Sequence, residues 1–109
     1  MMNIANIDES ADEFHLLETT GRTQTATIRL AAGSTTSEEP SVHPHSDQVV
    51  LVLEGEIVAE VGDERAALKV HDSLVIPAGV KHRLINEGGG TAFAFTVYGP
   101  PAYPTDDPT

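Results

Sequence analysis

Apolar and polar positions change rhythm along this chain. Residues 1–20 are polar and weakly patterned, with one short apolar piece at Phe14, Leu16 and Leu17. From Gln24 the text changes: Ile28 and Leu30 alternate with Thr27 and Arg29 before Ala32-Gly33, which predicts a strand and then a turn. Ser34 to Ser41 reads as a loop, with Pro40 barring a central strand. Val49 to Leu53 is a continuous apolar run closed by Glu54-Gly55, and Ile57, Val58 and Val61 then lead to Gly62-Asp63. The two segments predict an antiparallel hairpin, and Gly62-Asp63 starts another. Shorter apolar pieces follow: Ala67 to Val70 ends at His71-Asp72, Leu74 to Ile76 at Pro77-Ala78-Gly79, and Leu84-Ile85 at Asn86. After Gly88-Gly89-Gly90, the residues Phe93, Phe95 and Val97 alternate with Ala92 and Ala94 in a last strand.

No long segment keeps a helical apolar period, and no repeat of solenoid length is present. Short strands at regular spacing, punctuated by Gly and Pro, predict an all-β fold: a small antiparallel β-barrel or sandwich. The layout is one domain over 1–109, with an N-terminal extension at 1–20, a barrel over about 24–98 and a Pro-rich tail at 99–109. With four prolines the tail is not regular structure. It is expected to lie as an extended arm on the barrel or on a neighbouring subunit.

Composition narrows the function. The 109 residues suffice for one compact core and not for two ordinary ones. Six Lys and Arg against 17 Asp and Glu leave a formal charge of −11, so the surface repels phosphate backbones and anionic lipid, and neither nucleic acid nor membrane is an expected partner. No cysteine is present, which removes disulfides, thiolate metal sites and thiol nucleophiles together. The first residues lack a basic segment followed by an apolar run, and no apolar stretch approaches the ~20 residues of a membrane span, so a cytoplasmic location is the expectation.

Two stretches concentrate the chemistry. In His43-Pro44-His45-Ser46-Asp47-Gln48, alternate residues of an extended chain face the same way, so His43 and His45 can share a cavity to which Gln48 returns its amide. In the second stretch, Pro77 to Asn86, His82 enters a later strand. Imidazole nitrogens with an amide oxygen suit a divalent transition metal: Mn²⁺, Fe²⁺, Ni²⁺, Cu²⁺ or Zn²⁺. Because these donors are neutral, the ion would keep its full charge, which favours Lewis-acid work or an anionic chelating ligand.

The spacing of these stretches resembles the cupin superfamily over about Gly33 to Tyr98. Its second motif, G-x5-P-x-G-x2-H-x3-N, is matched by Pro77, Gly79, His82 and Asn86, with His71 in place of the leading glycine. Its first motif, G-x5-H-x-H-x3,4-E-x6-G, is matched by Gln48 for the acid and by Gly55. The resemblance implies a double-stranded β-helix (jelly-roll) barrel with metal ligands at His43, His45, Gln48 and His82. Two registers stay open. With four residues before Gln48, the motif's histidines fall on Ser41 and His43, leaving one ligand missing and His45 at the rim. With two residues, they fall on His43 and His45.

Simpler roles stand beside these. Histidines of a barrel mouth can be hydrogen-bonded without metal, Gln48 can cap a turn, and Asp47 is expected as a solvated turn acid. His71 is expected as an exposed turn residue, His15 as structural, Arg83 as outward-facing, and Phe93 and Phe95 as core. Tyr98 and Tyr103 are expected to close one end of the barrel or to pack across a dimer. The function expected is binding of, or action on, a small polar or anionic metabolite by a metal-dependent dioxygenase, isomerase or lyase. A sensor or carrier without metal is the alternative. The resemblance also implies pairing of barrels, hence a homodimer.

Overall fold

The computed structural model describes residues 2–104. Eight strands run in the order β1 (Phe14–Thr19), β2 (Gln24–Leu30), β3 (Asp47–Glu54), β4 (Ile57–Val61), β5 (Glu64–Leu68), β6 (Ser73–Ile76), β7 (His82–Ile85) and β8 (Ala92–Gly99). They form a five-stranded sheet, β1-β2-β8-β3-β6, facing a three-stranded sheet, β5-β4-β7. Every pairing is antiparallel. The fold is all-β, as expected. Among the described residues, no helix is long and apolar enough to cross a membrane.

The core lies between the two sheets. Ile28, Leu30, Val50, Val52, Ala92 and Ala94 from the larger sheet meet Ile57, Ala59, Leu68 and Leu84 from the smaller. The apolar run in β3 is not buried on both faces: Val50 and Val52 are fully buried, whereas Val49 is 39% exposed. Its partner across β6, Val75, is 59% exposed on the same outer face.

Three expectations change. The hairpin read from Val49–Leu53 and Ile57–Val61 does not form, because β3 pairs with β6 and β8 while β4 pairs with β5 and β7. The chain instead crosses between sheets at Gly55, whose φ of +73° lies in the left-handed region. A Cβ there would sit 2.7 Å from the Thr91 carbonyl oxygen, so the turn needs glycine for its conformation and for its contact. The second hairpin, with Val61 opposite Glu64 around Gly62-Asp63, forms as read.

The second is in β8, where Phe93 is buried as expected but Phe95 is only partly buried. Ala92, Ala94, Thr96 and Tyr98 are buried on the other face of the strand, and Phe93 is buried beneath Arg29, whose guanidinium carbon is 4.1 Å from the ring centre. The third is β1, a six-residue strand inside the segment read as an extension; it pairs with β2 through a register shift between Leu16 and Glu18. That irregularity breaks the alternation by which a strand is recognised.

Candidate functional site

The site is assembled by backbone pairing between the two histidine-bearing stretches. Ser41 and His82 exchange both N–H···O bonds at 2.8 Å, and the Gly79 N–H donates to the His43 carbonyl at 2.9 Å. The Asp47 carboxylate accepts the Ala78 N–H at 2.9 Å, so this acid caps the turn at Pro77–Gly79. Upstream, the Thr36 N–H donates to the Leu84 carbonyl and the Leu84 N–H to the Thr36 hydroxyl, so the loop runs along β7 and delivers Ser41 and His43 beside His82. Asn86 closes the second stretch. Its amide donates to the Leu30 and Gly90 carbonyls and accepts the Gly88 N–H, which makes it a turn clamp and not a ligand.

His43, Gln48 and His82 reach one cavity of about 270 Å³. It is also lined by Glu13 and Phe14 of β1 and its approach, Ile28, Thr36, Ser41, Leu84, Tyr98 and Tyr103. The His43 and His82 ring centres are 5.1 Å apart. His45 is exposed on the turn that follows Pro44 and is not among the lining residues. Ser41 and His43 thus line the cavity and His45 does not. His71 is exposed at a φ of +78°, occupying with strain the conformation of the motif's leading glycine. His15 pairs with Glu9 at 2.8 Å at the surface. Arg83 turns to the Glu60 carboxylate, 2.6 Å away, and lines no part of the cavity.

Hydrogen bonds fix which atoms the site presents. The His82 Nδ1 lies 3.0 Å from the Val80 carbonyl oxygen. A carbonyl only accepts, so Nδ1 carries a proton, which leaves Nε2 as the nitrogen with the lone pair in the neutral ring. Gln48 is buried, and its amide nitrogen donates to the Thr96 hydroxyl at 3.0 Å and to the Tyr98 hydroxyl at 3.2 Å. Thr96 spends its own proton on the Val49 carbonyl, so it receives from Gln48, and this sets the amide's orientation. The Gln48 carbonyl oxygen is left buried with no protein partner among the described residues.

Burial favours the neutral forms of His43 and Tyr98. Burial, and then the neighbouring His82, hold His43 below the ordinary histidine pKa. Burial, and then the Tyr103 phenol, push Tyr98 far above the ordinary tyrosine value, so it remains a neutral hydroxyl and does not serve as a base. Among the described residues, Glu13 is the only carboxylate lining the cavity, and neither Lys nor Arg lines it.

The sequence pattern did not indicate Glu13, Phe14 or Ile28 as lining residues. Nothing local in a polar N-terminal stretch signals that its strand edges a cavity. Tyr98 and Tyr103 do close one end of the barrel: Tyr103 packs 4.9 Å from Phe14, 5.4 Å from His43 and 5.4 Å from Tyr98 between ring centres. The part of the tail beyond Pro104 lies outside the described residues.

Two facing antiparallel sheets with paired histidines at one mouth define a double-stranded β-helix barrel. The family model for the cupin domain matches residues 26–98, and the chain belongs to the cupin family. It is 37% identical over 84 residues to the uncharacterized protein YdbB of Bacillus subtilis (strain 168), covering 76% of this chain and 74% of that one. It is 34% identical over 61 residues to the tetracenomycin polyketide synthase protein TcmJ of Streptomyces glaucescens, covering 56% of this chain but only 40% of TcmJ. The solved structure of TT1209 from Thermus thermophilus superposes with a TM-score of 0.80 at 28% identity, covering 91% of this chain and 98% of that one.

Proposed function

We propose that the barrel binds a small polar metabolite at a divalent transition metal held by His43, His82 and Gln48. The observation that carries this reading is the convergence of His43, His82 and Gln48 on one cavity, the last with a buried carbonyl oxygen that has no protein partner among the described residues. Leaving such an oxygen unpaired costs about 1–3 kcal/mol, which a cation or a donor group of a ligand would recover. The donor set fits a metal on its chemistry. His82 has its second nitrogen engaged by a backbone carbonyl, and Gln48 has its nitrogen engaged by two hydroxyls, the outer-shell arrangement that orients ligands. Mn²⁺, Fe²⁺, Ni²⁺, Cu²⁺ and Zn²⁺ all accept such donors.

When bound, the ion supplies Lewis acidity toward a ligand oxygen. The protein's own part is to favour neutral His43, orient His82 through Val80 and Gln48 through Thr96 and Tyr98, and limit water with Phe14, Ile28 and Leu84. Glu13 supplies a carboxylate at the cavity wall that a proton transfer would use. A dioxygenase, isomerase or lyase acting on a small oxygen-bearing substrate fits this inventory. The polyketide synthase named for one relative supports a small organic ligand. The outward, exposed Val49 and Val75 support pairing of two barrels through the larger sheet.

Ser41, standing where the family motif has a histidine, favours a second reading: a binding barrel that works without metal. Metal content of untagged protein, measured by plasma mass spectrometry beside His43→Ala and His82→Ala, separates the two. Near-stoichiometric metal in the parent and loss in both variants is the expected result. A parent that stays empty after incubation with all five ions removes the metal reading and leaves the binding barrel.

A further inference from the structure

The cavity's least conventional wall is Tyr103, which arrives from the tail rather than from a strand. The tail is fastened by Gln24, a fully buried residue at the start of β2. Its carbonyl oxygen accepts the Ala102 N–H at 3.1 Å and the Tyr103 N–H at 2.9 Å. Its amide nitrogen donates to the Tyr103 carbonyl at 2.9 Å and to the Thr19 hydroxyl at 3.1 Å. A buried amide is costly unless its groups are matched, and here two donations and two acceptances satisfy it. Three of the four bonds go to the backbone of two tail residues, so the tail is docked in register and the ring of Tyr103 is delivered to a defined place.

That place completes an aromatic enclosure. Phe14, Tyr98 and Tyr103 form a chain of tilted and edge-on ring contacts, and the two tyrosines also contact the His43 ring. The lining holds both polar groups, among them Ser41, His43, Gln48 and His82, and the apolar side chains of Phe14, Ile28 and Leu84. With no Lys or Arg in the lining, a phosphate or other multiply charged group meets no permanent cation of the described residues. A flat apolar body bearing oxygen matches the ring cluster together with the polar lining. The volume, about 270 Å³, falls just below the usual range of ligand pockets, roughly 300–1,000 Å³, so the ligand is small.

We infer that Tyr103 is a ligand-contacting, specificity-determining residue held in place by Gln24, and that the ligand it selects is a small planar ring carrying hydroxyl or carbonyl oxygen. This rests on the reading of the cavity as a small-molecule site but not on the metal. The ring stacks against the aromatic enclosure, as aromatic pairs do at centroid separations of about 4.5–7 Å, with its oxygens toward His43, Gln48 and His82. Gln24 is a positioning residue, acting through the tail.

The test uses the full chain, metal-free and metal-loaded, with 4-nitrocatechol as a planar dihydroxy probe and trans-cyclohexane-1,2-diol as its puckered counterpart. Binding is read by the probe's visible absorbance and by calorimetry. Parent protein binds 4-nitrocatechol at least tenfold more tightly than the cyclohexanediol. Tyr103→Ala weakens the planar probe at least tenfold, Tyr103→Phe stays within about threefold, and Gln24→Leu weakens it like Tyr103→Ala while metal content stays at the parent level. Equal affinity for the two diols, no binding of 4-nitrocatechol to the parent, or an unchanged affinity in a folded Tyr103→Ala variant overturns the inference. Failure of the metal reading is seen separately. A parent that takes up no metal yet binds 4-nitrocatechol in a Tyr103-dependent way refutes only the metal. Oxalate that raises the melting temperature of metal-loaded parent and Tyr103→Ala equally, with no planar preference, refutes only the inference.

Discussion

Replacing Gln48 with Glu restores the acid of the family's first motif, and the surroundings of this side chain predict the cost. Gln48 is 3% exposed, and its nitrogen faces the oxygens of Thr96 and Tyr98. Thr96 has committed its proton to the Val49 carbonyl, so an ionised carboxylate would place oxygen against oxygen there. A carboxyl so buried, with no cation nearby, has its pKa raised by up to about 3–5 units from about 4.3. The folded-state pKa then exceeds the unfolded one, so stability is intact below about pH 4.3 and is lost as pH rises toward the folded value. At pH 7 the protein must either bury the charge or take up a proton, which costs about 3–4 kcal/mol at about 1.4 kcal/mol per unit.

For a domain of this length that is a drop of roughly 10–25 °C in melting temperature. Thermal and urea melts of parent and Gln48→Glu between pH 4 and 8 measure it, the informative quantity being the difference at each pH. The gap should be small near pH 4.5 and widest at pH 7–8. Under the metal reading, Mn²⁺ or Zn²⁺ at about 100 times its dissociation constant returns about 2.7 kcal/mol to the variant. A variant that melts within about 1 kcal/mol of the parent at pH 7 without metal would show that the amide's environment is wet, and would refute the buried-charge cost.

Other outcomes follow from the same structure. Gly55→Ala combines a left-handed φ with a Cβ 2.7 Å from the Thr91 oxygen, and should cost about 2–5 kcal/mol in urea unfolding. His71→Gly relieves a side chain held at φ +78° on the surface, and should gain about 0.5–1 kcal/mol after glycine's greater unfolded freedom is subtracted; a loss of stability would mean the imidazole has a role at that turn. Because His43 is held below the ordinary histidine pKa, the unfolded chain takes up its proton first, and stability is lost as pH falls from about 6.5 toward the folded value. NMR titration should find its ring neutral at pH 6.5, and His43→Gln should flatten the stability profile over that range.

Much of this site was legible because its residues are close in sequence and its motifs are turns. Pro77, Gly79, His82 and Asn86 mark a turn and the strand it feeds, and that geometry is local. Gln48 and Gly55 are separated by one strand whose length the apolar run reveals. Both registers keep His43, and what could not be read is whether Ser41 or His45 accompanies it: Ser41 pairs with His82, while His45 is exposed on the turn at Pro44. In β8 the bulk of Phe93 does mark a buried position, whereas Phe95 is only partly buried, a difference the alternation alone does not reveal.

By itself the sequence determined the fold class, the location of most strands and turns, and the chemical types gathered at the mouth. Those follow from alternation and from Gly, Pro and Asn at turns, which act over a few residues. The tertiary structure alone decided that β3 and β4 part into different sheets, that a polar N-terminal stretch becomes β1, and that Gln24 reaches 79 positions along the chain to seat Tyr103. Such contacts depend on the volume between packed sheets and on pairing buried polar atoms, and neither leaves a period in the sequence.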